Sequence, residues 1–144
     1  MPPVLTIGQL AGETNCKVPT IRYYEEIGLL PPPHRTSGNQ RRYGPEHAVR
    51  LGFIQHCRAL GFPQQTIREL LDLTESPGGN CGAVSRIARN HLEEVNRRIA
   101  RLSALRTELE RMIDTCGGGQ ISDCRIIETL GDPALGQRLP REPA

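Results

Sequence analysis

The sequence predicts a mainly α chain in which a winged helix-turn-helix DNA-binding head precedes a long antiparallel coiled-coil dimerisation helix. Three observations predict it. Two short helical patterns flank a polar break near the start. A proline-rich stretch with an arginine-flanked turn follows them. From Cys81 to Cys116 one apolar stripe then runs at steps of four and three through Cys81, Ser85, Ala88, Leu92, Val95, Ile99, Leu102, Arg106, Leu109, Ile113 and Cys116.

Taken in order, Thr6 is placed to cap a first helix over about Ile7 to Glu13, which the polar run Thr14-Asn15-Cys16-Lys17 breaks. A second helix begins near Pro19, a residue suited to a first turn, and ends at Gly28. Leu29-Leu30-Pro31-Pro32-Pro33 cannot be helical. The segment His34 to Tyr43 carries a Ser37-Gly38-Asn39 turn between arginines and reads as a two-stranded basic wing. Helical periodicity resumes from Glu46 to Leu60 through Val49, Phe53, Ile54 and Leu60, and again from about Gln64 to Leu73. Pro77 to Asn80 is a linker. The seam helix stops at Gly117-Gly118-Gly119, beyond which Arg125 to Leu130 forms a short helix. The expected organisation is a head over 1–76, linker and dimerisation helix over 77–116, metal-binding loop and terminal helix over 117–130, and a flexible tail over 131–144.

The seam carries a functional consequence. The interval from 81 to 116 is 35 residues, five heptads of seven, so both thiols face one partner helix from opposite ends. At ~1.5 Å per residue they stand roughly 50 Å apart in their own chain, too far to share an ion. An antiparallel copy related by a two-fold axis near residues 98 and 99 sets Cys81 of one protomer against Cys116 of its partner at both ends. The glycines let the following loop curl back and bring Cys124 toward Cys116. Three thiolates then converge at each end.

Charge selects the ion. Three thiolates with a divalent ion leave −1, whereas three with a monovalent ion leave a buried −2, which is costly. Sulfur-rich coordination suits the soft ions Hg(II), Cd(II), Zn(II) and Pb(II); Cu(I), satisfied by two thiolates, is the alternative effector. Cys57 reads as core filling, and Cys16, in the break between the first two helices, as partly exposed and without a partner ligand.

The chain has 144 residues, a net charge of +2, two Phe, three Tyr and no Trp, so the head must fill its core with aliphatics. Neither a basic, apolar leader nor a membrane-length apolar run is present, and a cytoplasmic protein without membrane contact is expected. Five cysteines in that compartment read as thiols or ligands. No Cys-x-x-Cys motif or His-based nucleophile pair supports an enzyme. The remaining rival class is a zinc-stapled structural coiled coil.

The runs Ile7-Gly8-Gln9-Leu10-Ala11, Thr20-Ile21-Arg22-Tyr23-Tyr24-Glu25, Gly28-Leu29-Leu30, Arg41-Arg42-Tyr43 and Leu60-Gly61-Phe62 resemble, in order and spacing, the DNA-binding head of the MerR family. The resemblance extends from about Leu5 to Cys124. It implies a homodimeric transcription regulator on a pseudo-palindromic operator in double-stranded promoter DNA, acting with RNA polymerase by distorting the DNA when an effector binds. It also implies that Arg22 and Tyr23 are recognition-helix contacts and that Arg35, Arg42 and Tyr43 are wing contacts, with Lys17 and Asn39 as further DNA-binding candidates. Cys116 and Cys124 match the family's metal loop, and Cys81 matches its divalent sensors, whose copper and gold counterparts usually carry serine there. The exit Asp123-Cys124-Arg125-Ile126-Ile127-Glu128 looks more like the copper branch. Taken together, these features lead to the expectation of a regulator that activates a metal efflux or detoxification promoter.

Overall fold

In the computed structural model, which describes residues 4–141, the chain forms two units that divide at Ser85. The first holds α1 (Ile7–Thr14), α2 (Val18–Glu26), β1 (His34–Arg35), β2 (Arg41–Arg42), α3 (Pro45–Ala59) and α4 (Gln64–Thr74). Helix α5 (Gly82–Thr115) begins there and continues into the second unit, followed by a 3-10 turn (Ile121–Asp123), α6 (Arg125–Leu130) and α7 (Leu135–Arg138). Among the described residues no helix is long and apolar enough to cross a membrane.

Local chemistry sets the ends of the first two helices. Thr6 caps α1 by accepting from the Gln9 N–H at 3.2 Å while Gln9 returns a side-chain acceptor to the Thr6 N–H at 2.9 Å, a reciprocal box. Asn15 ends α1 in the left-handed region at φ 53°, a conformation asparagine tolerates. Pro19 sits in the first turn of α2. Gly28, at φ +79°, turns the chain so that the N–H groups of Leu29 and Leu30 both donate to the Tyr24 carbonyl.

Three arginines from later helices then fasten α2 and its exit. Arg58 donates to the Tyr24 hydroxyl at 2.6 Å, Arg68 to the Ile27 carbonyl at 2.7 Å and Arg50 to the Leu29 carbonyl at 2.6 Å. These are charge-assisted bonds to groups that α2 alone leaves unsatisfied.

The wing is a short antiparallel ladder pairing His34 with Arg42 and Arg35 with Arg41. Leu5 extends it, exchanging two 2.8 Å backbone hydrogen bonds with Tyr43. Leu10, Ile21, Leu29, Leu30, Tyr43, Leu51, Ile54 and Ile67 are essentially inaccessible and form the head's core.

Helix α3 turns inward only part of the expected periodic set, Ile54, together with the expected Cys57. Val49 and Leu60 are exposed, whereas His47, Leu51, Ile54 and Cys57 point inward. Both sets recur at helical spacing. The buried set wins because His47 finds partners for both ring nitrogens: Gly44 N–H donates to Nδ1 at 3.0 Å, and Nε2 donates to the Pro32 carbonyl at 3.1 Å.

The first unit runs on from α4 through Ser85. Turn hydrogen bonds from Ser76 to Leu73 and from Gly79 to Ser76 carry the chain on from α4, and the Asn80 side chain accepts from the Gly82 N–H at 2.7 Å to start α5.

The second unit carries structure beyond residue 130. Residues 131–141 include α7, whose Leu135 is buried, and Arg138 lies 3.5 Å from Glu108 of α5. Further along, Pro140 and Arg141 lie beside Glu94, Arg97, Arg101 and Ala104. The short apolar and basic groups of this segment suit a helix face that offers alanine and glutamate. Residues 142–144 of the expected tail lie outside the described residues.

The face so covered lies about 200° around α5 from the seam, at roughly 100° per residue. The seam itself stays open. Leu92, Ile99, Leu102, Leu109 and Ile113 are each more than half exposed.

Candidate functional site

Two surfaces carry the expected chemistry. In the head, the exposed side of α2 presents Arg22 and Tyr23, with Lys17 exposed just before it. Tyr23 is 48% exposed and its hydroxyl has one long contact, 3.4 Å to Gln64. Tyr24 points inward and accepts from Arg58, so the adjacent tyrosines divide into an outward and a packing residue.

In the wing, Arg35 and Asn39 are exposed. Asn39 also forms the turn, at φ 62°, with its carbonyl accepting from Arg35 at 3.2 Å. Arg42 is braced by the Arg41 carbonyl at 2.7 Å and by Gln40 at 2.8 Å, which fixes its guanidinium at the wing.

Tyr43 requires correction as a wing contact. It has no exposed surface and its hydroxyl bonds to Glu25 of α2, so it locks wing to helix from beneath. Burial, together with the Glu25 carboxylate, pushes its phenol up to about 12. Arg41, which the expected contacts omitted, lines one depression with Arg22, Glu25 and Glu26. Its place beside Arg42 in the doubled arginine was the available signal. Arg22 of the helix and Arg41 of the wing thus meet at one depression, beside Glu25 and Glu26.

In the second unit, the glycine loop after α5 does bring Cys124 back to Cys116. Gly118 and Gly119 adopt φ +79° and +102°, and the two thiols are within hydrogen-bonding reach. The Cys124 thiol lies below its ordinary value, chiefly through backbone N–H groups of Ile127 and Ile126 at the start of α6 and also through Cys116. Both cysteines are partly exposed. Such a pair offers two soft donors, one of them shifted toward the thiolate form that metals require.

Cys81 is exposed at the threshold of α5. The other two cysteines are structural. Cys57 is buried as expected, and Cys16 is buried rather than partly exposed. Burial raises both thiols, even though Arg58 opposes it at Cys16, so neither is disposed to act as a ligand.

Comparison with known proteins decides the family. Residues 5–74 match the MerR HTH family regulatory protein and residues 48–112 the MerR DNA-binding region. The HTH-type transcriptional regulator ZntR homolog of Haemophilus influenzae is 45% identical over 73% of this chain and 78% of its own length. The chain belongs to the MerR family. The heavy metal-dependent transcription regulator 1 of Rhizobium meliloti is 36% identical over 82% of this chain and 80% of its own. The transcription regulator PbrR691 from Ralstonia metallidurans CH34, solved in complex with lead(II), is 37% identical, covers 88% of this chain and 99% of its own, and superposes with a TM-score of 0.80. This MerR-family chain is accordingly a transcription regulator and not an enzyme.

Proposed function

We propose that this MerR-family regulator is a cytoplasmic homodimer that reads a soft divalent ion, Hg(II), Cd(II), Pb(II) or Zn(II), and answers by activating a metal efflux or detoxification promoter. The observation that carries the reading is the meeting of Cys116 and Cys124 at the end of α5. The exposed seam supports the rest. An antiparallel copy bringing its Cys81 to that end completes a three-thiolate set, and the MerR-family relatives named as heavy metal-dependent or solved with lead(II) share the chain almost throughout. When bound, the ion supplies a soft Lewis acid that cross-links the two protomers; Cys116 and Cys124 of one and Cys81 of the other would hold it.

In the head, Lys17, Arg22, Tyr23, Arg35, Asn39 and Arg42 contact a pseudo-palindromic operator, with the wing arginines on phosphates. Deforming a site of operator size costs on the order of 1–6 kcal/mol. The ion must therefore favour the distorted complex over the relaxed one by a comparable difference, since equal affinity for both would shift nothing. RNA polymerase then reads the realigned promoter.

The test is anaerobic titration of the reduced protein with Cd(II), Hg(II) and Cu(I), following sulfur-to-metal charge-transfer absorption in wild type and Cys81→Ser. One divalent ion at each of two equivalent sites per dimer, lost in the variant with operator binding retained, is the expected result. Tight Cu(I) uptake that survives Cys81→Ser, with weak Cd(II) and Hg(II) uptake, would reassign the effector to Cu(I) and leave Cys81 as a seam residue.

A further inference from the structure

The wing contains a second constellation with ligand chemistry, and no sequence motif announces it. His34 opens β1, while Glu46 and His47 lie in the first turn of α3. Glu46 Oε1 stands between the two rings, 2.7 Å from His34 Nε2 and 3.4 Å from His47 Nδ1, and the three atoms lie within 4.8 Å of one another.

The tautomer of His47 is settled by its surroundings. Because Gly44 N–H donates to Nδ1 and Nε2 donates to the Pro32 carbonyl, Nδ1 carries the lone pair and the ring is oriented from behind. A backbone carbonyl on the far nitrogen is the arrangement by which proteins orient a metal-binding histidine.

We propose that His34 Nε2, Glu46 Oε1 and His47 Nδ1 bind a divalent transition-metal ion of borderline softness, with Zn(II) as the probe and water at the open position. Bonds of about 2.0–2.2 Å to such an ion place tetrahedral donors roughly 3.3–3.5 Å apart. The His47–Glu46 spacing already meets that. The His34–Glu46 spacing must open, which two exposed side chains permit. The Gly44 N–H gives up its acceptor in exchange for three coordinate bonds. Two imidazoles and a carboxylate select Zn(II), Co(II), Ni(II) or Cu(II) over the thiophilic ions suited to Cys116 and Cys124. The bound ion would clamp the start of β1 to α3 and add positive charge to the wing that carries Arg35, Arg41 and Arg42. This site is independent of the thiolate reading.

The test uses the full chain with Cys81, Cys116 and Cys124 changed to serine, which removes the three accessible thiols and leaves Cys16 and Cys57 buried in the head. Co(II) is titrated and followed by its d–d absorption, with Zn(II) as competitor and His34 and His47 ring protons observed by NMR. One Co(II) per chain, displaced by Zn(II), shifting both rings and weakened at least about tenfold by His34→Ala and by Glu46→Gln, is expected. Both substitutions lie on the surface, so the head stays folded. Absence of saturable uptake, or a smaller loss in either variant, overturns the proposal.

Discussion

The head and the long helix bury their apolar residues in opposite ways. In the head, eight large side chains from Leu10 to Ile67 are closed off within the chain, and the polar groups among them are bonded. Along α5 and beyond, Met112 and Leu135 are the large apolar side chains buried among the described residues, while five seam residues stand more than half exposed at heptad spacing. A side chain of that size gains about 1.5–3 kcal/mol on burial, and a contiguous apolar stripe of this length marks an interaction surface. The head thus closes its core within the chain, whereas α5 leaves its stripe open, and the proposed dimer would cover that stripe with a second copy.

The strongest way to break this contrast is to place charge in the seam. Ile99→Glu with Leu102→Glu, near the two-fold axis, would confront carboxylates across an antiparallel pair. Burying an unpaired charge costs several kcal/mol, so association is expected to weaken by about 1,000-fold or more. Sedimentation should show monomer, and NMR should show head resonances unchanged. A persistent dimer of normal affinity would place the interface elsewhere.

The reciprocal perturbation lies in the head. Ile54 has no exposed surface, and Ile54→Ala should cost about 2–5 kcal/mol by leaving a cavity. This loss belongs to the head's own unfolding. Thermal melts of wild type and variant should differ by an amount independent of protein concentration. A difference that grows on dilution would tie the head's core to association and erase the distinction.

The same contrast explains what was legible in the sequence. A heptad stripe is a one-dimensional signal, so α5 and its open face follow from residue order, as do the box at Thr6 and the turn at Gly28. The return of the loop toward Cys116 was legible because glycines license a tight turn. Side-chain direction in the head was not. Val49 and Leu60 are as apolar as Leu51 and as well spaced as Ile54, and packing against α1 and α4, with the partners His47 finds, decides which face turns inward. Tyr43 illustrates the same limit: its place after Arg41-Arg42 suggests a wing contact, but alternation along the strand and the Glu25 acceptor take it beneath the wing. The His34, Glu46 and His47 cluster is assembled by the wing's reversal, which brings together residues with no regular spacing.

The smallest expected effect sharpens the comparison from the electrostatic side. Glu94 lies below its ordinary value, first through its bond to Arg97, 2.6 Å away, with Arg98 adding to it; Glu108 is lowered likewise by Arg111 and then by Arg138. A carboxylate depressed in the folded state contributes stability above its unfolded value, about 4.3 for glutamate, and that contribution fades as pH falls through the folded value. Both groups are half-buried on the helix surface with exposed or half-exposed arginine partners, so the effect is modest and salt screens it. Helicity measured at 222 nm should decline slightly on acidification below the ordinary glutamate range, less so in Glu94→Gln and less so at high salt. The pairs lie on α5, so the decline should be deeper in the seam-charged monomer, where helix–helix packing no longer holds α5. An equal decline in dimer and monomer would mean that packing along the seam contributes little to the helix, against what the exposed stripe implies.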